Sequence, residues 1–246
     1  MFHFFSKKRF LVDLLEGFVD MHNHLLPGID DGSKNVTESI SLIKGFQEFG
    51  VKHFIATPHI MHNYYPNTPA TIGDALTELK NELLSENLMD VAITAAAEHM
   101  VDANFETLLE ENGVMPIKKN YILIEMSYLQ PSINFDVAVQ KIASKRLFPI
   151  LAHPERYVYL KMGSSKFKRY KQQGLLFQLN LLSLGEHYGK DVQKKAFKLV
   201  EEGLIDFVAS DVHHMGHLDS LKEIKVTYKM AENLLPLIEK TIYNFY

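Results

Sequence analysis

The stretch DMHNHLLPGIDDGSKN, residues 20–35, decides how the rest of the chain is read. It ends an apolar run, FVDMHNHL (18–25), with two histidines one residue apart, and then enters an Asp-Asp-Gly turn. On a strand, positions i and i+2 face the same way, so His22 and His24 point to one side. A polar loop after an edge strand would explain this locally. A metal site would explain it chemically, and the remaining strand-like runs discriminate between the two.

Six more such runs follow: HFIATPH (53–59), VAITAAAEH (91–99), YILIEMS (121–127), FPILAHPE (148–155), LLFQLNLL (175–182) and DFVASDVHH (206–214). Amphipathic stretches separate them. Ile72, Leu76, Leu79 and Leu83 recur at helical spacing, as do Val192, Ala196, Leu199 and Val200, and then Leu221, Ile224, Tyr228, Ala231, Leu235 and Ile238. Strands alternating with helices imply a parallel sheet with right-handed crossovers. Seven units in 246 residues predict an α/β fold, a TIM-like barrel rather than an open sheet. No long linker, repeat or low-complexity segment interrupts the series.

In such barrels chemistry gathers at the C-terminal ends of the strands. Six of the seven runs end on or carry a metal-capable side chain: His22 and His24, His59, Glu98, Glu125, His153, and Asp211 with His213. Glu125 is telling, because an unpaired carboxylate inside an apolar strand is costly to bury. His3, His53, His62, His99, His187 and His214 lack such company and are read as ordinary histidines. Arg156 stands three residues after His153, where its guanidinium fork suits phosphate oxygens or a surface salt bridge equally.

Composition narrows the chemistry. There is no cysteine, so thiolate metal sites, disulfides and a thiol nucleophile are excluded. His, Asp and Glu donors suit Mn, Fe or Zn. A net charge of −4 counts against a general nucleic-acid binder. The N-terminal MFHFFSKKRFLVDLL is a poor signal peptide, because Lys7, Lys8 and Arg9 interrupt its apolar part. With no apolar run near the ~18 residues a membrane span needs, a cytoplasmic location is expected. Residues 1–17 are expected to pack on the barrel or on a partner.

The motifs DMHNHLLPGIDDGSKN, ATPH with YPNT after it, AAEH, LIEMS, LAHPERY and ASDVHH, in this order, resemble the polymerase and histidinol phosphatase (PHP) superfamily. Within it they are most similar to the bacterial manganese-dependent tyrosine-protein phosphatases of the capsule and exopolysaccharide type. That resemblance implies a distorted (β/α)7 barrel, with residues 18–246 as the PHP phosphatase domain. It also implies three divalent metal ions, Mn first, with Fe or Zn as alternatives. On the family pattern His22, His24, Glu98 and Asp211 hold the first ion. Glu98 bridges to a second, completed by Glu125 and His153, and Asp31, His59 and His213 hold the third. Arg156 takes the place of the family's phosphate-binding arginine. A second arginine often found beyond the Asp-x-His motif is missing from SDVHHMGHLDS, which leaves His217 as a stand-in candidate.

The implied activity is hydrolysis of phosphotyrosine by metal-activated water without a covalent enzyme intermediate, Asp31 or His213 aiding the leaving group. The implied substrate is a phosphotyrosine protein, the tail of a membrane tyrosine kinase that controls capsule or exopolysaccharide synthesis, and no nucleic acid. The aromatic loop MHNYYPNTP (61–69) is a candidate wall for the phenyl ring. Rivals are a small-molecule phosphatase such as histidinol phosphatase, a PHP-type phosphodiesterase or exonuclease, and a metal-stabilised binding module. An amidohydrolase shares the His-x-His opening, but many carry a lysine where this chain has Glu125.

Overall fold

In the computed structural model, residues 7–118 and 120–246 are described. In chain order the strands are β1 (Lys8–Phe10), β2 (Val19–Asp20), β3 (His53–Ala56), β4 (His59–Ile60), β5 (Ala92–Ala95), β6 (Glu98–Met100), β7 (Tyr121–Glu125), β8 (Phe148–Ala152), β9 (Leu176–Asn180), β10 (Phe207–Ala209) and β11 (Lys225–Thr227). The helices are α1 (Val36–Gln47), α2 (Pro69–Ser85), α3 (Phe105–Glu110), α4 (Phe135–Ser144), α5 (Lys166–Gln172), α6 (Lys190–Glu201), α7 (Met215–Glu223) and α8 (Tyr228–Phe245).

These strands form seven staves of a distorted parallel barrel. The second stave is β3 continued as β4, broken at Thr57-Pro58, where proline has no N–H to give a ladder. The third is β5 continued as β6, broken at Ala96-Ala97. Parallel ladders run β2-β3-β5 below the breaks and β4-β6-β7-β8-β9-β10 above them. The barrel closes through a parallel bridge between Asn23 and Val212. Asp211 N–H donates to His22 O at 2.8 Å and His24 N–H to Val212 O at 3.0 Å. Beneath them Asp20 accepts from Ser210 N–H at 2.9 Å and Ser210 Oγ–H at 2.6 Å.

Alternation along the strands divides the core in two. Val19, Met21, Ile55, Leu123, Ile150 and Phe207 fill the lower barrel, which Phe245 of α8 plugs from below. The opposite strand faces, among them Ile122, Ile124, Leu151, Phe177 and Leu179, pack under the helices. In α2 the apolar stripe is buried as its spacing predicts, through Ile72, Leu79 and Leu83. In α6 Ala196, Leu199 and Val200 are buried.

One helical expectation is corrected. The spacing from Leu221 to Ile238 reads as one helix, but α7 stops at Glu223 and α8 starts at Tyr228. Between them β11, with β-branched Val226 and Thr227, pairs antiparallel with β1. Thr227 then caps α8, its Oγ accepting from Met230 N–H at 3.2 Å. Leu11, Leu14 and Leu15, which follow β1, are buried in the outer core. Of the N-terminal segment 1–17, residues 1–6 lie outside the described residues. Among the described residues no helix is long and apolar enough to cross a membrane.

His99 is a core residue. Its Nδ1–H donates to Leu123 O at 2.9 Å, and its Nε2 accepts from Met115 N–H at 3.1 Å. Burial pushes its pKa down to about 4. The unfolded chain therefore binds more protons than the folded one between pH 4 and 6.5, so this group lowers stability as pH falls through that window. In urea titrations, the stability advantage of wild type over His99→Gln is expected to shrink by about 3 kcal/mol from pH 6.5 to pH 4. For the seam, Asp20→Ala leaves both Ser210 donors unpaired and is expected to cost about 2–4 kcal/mol by the same measurement.

Candidate metal centre

The upper ends of the staves converge on one buried cluster. His22, His24 and Glu98 are fully buried, and Asp211, Glu125, His153 and His59 nearly so. Asp31 and His213 lie on the open side. All nine residues predicted as ligands reach this rim.

Their donor atoms are spaced as ligands of shared ions would be. Two atoms each about 2.0–2.2 Å from one ion lie roughly 3.0–3.5 Å apart in tetrahedral or octahedral geometry. His22 Nε2 is 3.2 Å from Glu98 Oε2 and 3.3 Å from Asp211 Oδ1. His24 Nε2 is 3.6 and 3.4 Å from the same two oxygens, which closes a four-donor ring. Two further groups can be drawn: His24, Asp31, His59 and His213, and then His59, Glu98 and Glu125. His59 links them, with Nε2 3.3 Å from Asp31 Oδ1 and Nδ1 3.0 Å from Glu125 Oε1. His153 Nε2 lies 2.9 Å from Glu98 Oε1 and 3.9 Å from Glu125 Oε2, at the edge of the third group.

Several of these atoms have no hydrogen-bond partner although buried: Nε2 of His22 and His24, Nδ1 of His59, Oε2 of Glu98 and Oε1 of Glu125. Buried polar atoms are normally satisfied, so a cluster of them facing one space fits a divalent cation. Electrostatics point the same way. Burial disfavours the charged forms of His22, His24 and His59, yet carboxylates overcome it and hold all three above their ordinary pKa. The chief carboxylates are Glu98 for His22, Asp30 for His24 and Glu125 for His59. Burial would raise Glu98 and Asp211, but His22 and its neighbours keep both well below the carboxylate range. His213 is pushed down to about 4 by burial and by His24.

A second tier orients the rings. His24 Nδ1 contacts Asp30 Oδ2 at 2.7 Å, and His22 Nδ1 contacts Gln178 Oε1 at 2.9 Å. His213 Nδ1–H donates to Asp211 O at 2.9 Å. Each contact turns Nε2 toward the cluster. The loop carrying Asp30 and Asp31 folds back tightly, with Ser33 N–H on His24 O at 3.1 Å. A Cβ on Gly32 would overlap His24, so glycine is required there.

Asp30, Gln178 and Asn180 were not anticipated from the sequence. Their signal was nonetheless there: Asp30 precedes Asp31, and Gln178 and Asn180 sit at i and i+2 on the one stave without a candidate ligand. Asp211 and His213 have the same i, i+2 spacing as His22 and His24, which predicts two residues on one face of a strand, and here the structure corrects that expectation. Both lie beyond β10, and Asp211 has φ +53°, so a left-handed turn rather than a strand pleat brings them together. His153, just past β8, has φ +35°.

The cluster opens into a cavity of about 670 Å³, lined by Met61, Tyr64 and Tyr65 and by Tyr128, Arg156 and Tyr188. Arg156 Nη1 donates to Asp211 Oδ2 at 2.8 Å. His217 also lines the cavity, its Nδ1 accepting from His213 N–H at 3.3 Å. His62 and His214 line its mouth. His53 lies against Tyr246 and outside this cavity, and His187 packs on His217.

Residues 18–230 match the family described as Capsular polysaccharide synthesis, CpsB/CapC. The tyrosine-protein phosphatase YwqE of Bacillus subtilis (strain 168) is 29% identical over 198 residues, 80% of this chain and 78% of that protein. The tyrosine-protein phosphatase CpsB of Streptococcus pneumoniae is 26% identical over 204 residues, 80% of this chain and 83% of that protein. A crystal structure from work on YwqE and CpsB as metal-dependent tyrosine phosphatases superposes with a TM-score of 0.75 at 27% identity, covering 90% of this chain and 94% of that one.

The oriented rings carry a consequence. Asp30→Asn removes the charge behind His24 and is expected to weaken divalent-metal binding about 10–100-fold in equilibrium dialysis, with the fold retained by circular dichroism.

Proposed function

The chain belongs to the CpsB/CapC capsular polysaccharide synthesis family, and from that premise we propose that it is a metal-dependent protein-tyrosine phosphatase. The observation that carries the reading is the four-donor ring of His22, His24, Glu98 and Asp211, with Arg156 hydrogen-bonded to that same aspartate. In this reading the ring would hold one ion, Glu98 with Glu125 and His153 a second, and Asp31, His59 and His213 a third, with Mn the preferred metal. His59 Nδ1, close to Glu98 and Glu125, can serve the second position as well. Divalent ions held there would supply Lewis acidity, easing deprotonation of a water and offsetting charge on the phosphoryl oxygens.

The chain's own groups do the rest. Arg156 grips the phosphoryl oxygens with the N–H groups not directed at Asp211. Asp30 and Gln178 keep the His24 and His22 rings aimed. The buried floor excludes bulk water, so every charge interaction at the phosphoryl group acts in a low dielectric. With no cysteine in the chain, attack by a protein thiolate is not available. A tyrosine leaving group, with a pKa of about 10, needs little help from a proton donor. Asp31 and His213, the sequence candidates for that role, would be unprotonated ligands of the third ion in this reading, both held below their ordinary pKa. The walls Tyr64 and Tyr65 suit a phenyl ring. The substrate is then a cytoplasmic phosphotyrosine protein, a tyrosine kinase tail of the capsule system.

Stripping the protein with chelator and restoring Mn, Fe or Zn separately tests this reading. Mn is expected to restore hydrolysis of a phosphotyrosine peptide well above that of a phosphoserine peptide or histidinol phosphate. His22→Ala should abolish the rate, and Arg156→Ala should lower kcat/KM by about 10²-fold. Faster turnover of histidinol phosphate would move the assignment to small-molecule phosphatases. No turnover of any of the three by the metal-loaded protein would refute the phosphatase reading.

A further inference from the structure

Arg156 is held on several sides at once. Its guanidinium carbon lies 4.3 Å from the ring centre of Tyr128 and 4.2 Å from that of Tyr188. One prong is fixed on Asp211 Oδ2. Asn180 ties the frame together, its Nδ2 donating to Asp211 Oδ2 at 2.8 Å and to the Tyr188 hydroxyl oxygen at 3.2 Å. Tyr128 is backed by Tyr157, stacked at 6.0 Å, and by the His153 ring at 5.5 Å. Only 17% of the Arg156 side chain is exposed, on the cavity side.

A guanidinium carries five N–H donors, and among the described residues Arg156 directs one at a protein acceptor. A free arginine samples many rotamers, and ordering it on a ligand costs affinity. We propose that Tyr128 and Tyr188 are positioning residues whose ring faces fix the guanidinium plane, so that one prong stays on Asp211 while the others meet the substrate's phosphoryl oxygens. The rings act through cation–π contact, and the Tyr128 hydroxyl is dispensable. Lysine, a compact point charge without a planar fork, cannot use this clamp. The inference rests on the phosphatase reading for its substrate.

The test uses the full chain loaded with Mn and compares Tyr128→Leu with Tyr128→Phe, and Tyr188→Leu with Tyr188→Phe. KM for a phosphotyrosine peptide, kcat, and the affinity for inorganic phosphate by calorimetry are measured, with metal content and Tm alongside. In each leucine variant KM and the phosphate Kd are expected to rise together about tenfold, with kcat less affected and metal content unchanged. Tyr128→Phe should match wild type, because the ring is kept. If Tyr128→Leu fails to fold, the Tyr188 pair carries the comparison. Wild-type phosphate affinity in the leucine variants, or an equal loss in Tyr128→Phe and Tyr128→Leu, would overturn the clamp. If the wild-type protein hydrolyses no phosphotyrosine peptide, the phosphatase reading fails, and the phosphate Kd still tests the clamp by itself.

Discussion

The barrel closes at one seam, and the bonds that close it run through the residues that form the site. Asp211 N–H reaches His22 O, and His24 N–H reaches Val212 O. A parallel sheet left open exposes two unpaired edges, which closure removes. Here the two edges come from opposite ends of the chain: Asp20 and Ser210 are 190 residues apart. If that seam opened, the His22 and His24 pair would part from Asp211, and the four-donor ring would be lost. Closing the topology and assembling the cluster are therefore one event. Any ion bound by the closed form and not by the open one stabilises the barrel by mass action.

The cluster also sets a charge problem that the surrounding residues are arranged to solve. Glu98, Glu125 and Asp211 are almost fully buried, and isolated carboxylates in such a place would be expensive. Histidine rings stand against each of them within hydrogen-bond range or slightly beyond. Arg156 and Asn180 take the outer oxygen of Asp211 and leave its inner one for the ring. Glu155, also buried, accepts from Asn180 N–H and Ser183 Oγ–H, anchoring the end of β9 from which Asn180 reaches inward. The site is thus held by a polar frame on three neighbouring staves, β8, β9 and β10, and not by its innermost residues alone.

Much of this was legible in the sequence because parallel barrels impose a simple rule: apolar strand, then functional residue. That rule located eight of the nine candidate ligands and the seven staves, while Asp31, in the loop beyond β2, came only from the family resemblance. It could not locate Gln178 and Asn180, since amides are poor metal ligands and their use depends on which ring or carboxylate stands opposite. Nor could it find the Tyr128 and Tyr188 pair, whose meeting around Arg156 joins loops distant in sequence. The helical reading of 221–238 failed for a related reason. Periodicity registers spacing but not a competing partner, and β1 claims residues 225–227 as a strand.

Two of the residues with positive φ, His153 and Asp211, show how local backbone and chemistry are joined. His153 and Asp211 each follow the end of a stave, and each takes a positive φ that side-chain-bearing residues rarely adopt, at a cost of order 1–2 kcal/mol. In both, the left-handed turn follows the end of the strand and swings the side chain over the rim toward Glu98 or His22. It also frees the carbonyl of the same residue. His153 O then accepts from Arg156 N–H at 2.9 Å, and Asp211 O accepts from His213 Nδ1–H at 2.9 Å. One strained residue therefore places two functional groups, its own side chain and the next one along the chain. A relaxed extended residue at either position would carry on the strand, sending its side chain to the other face and leaving Arg156 or His213 without its anchor. The strain is retained because the closed seam and the second-tier hydrogen bonds around it over-determine the conformation.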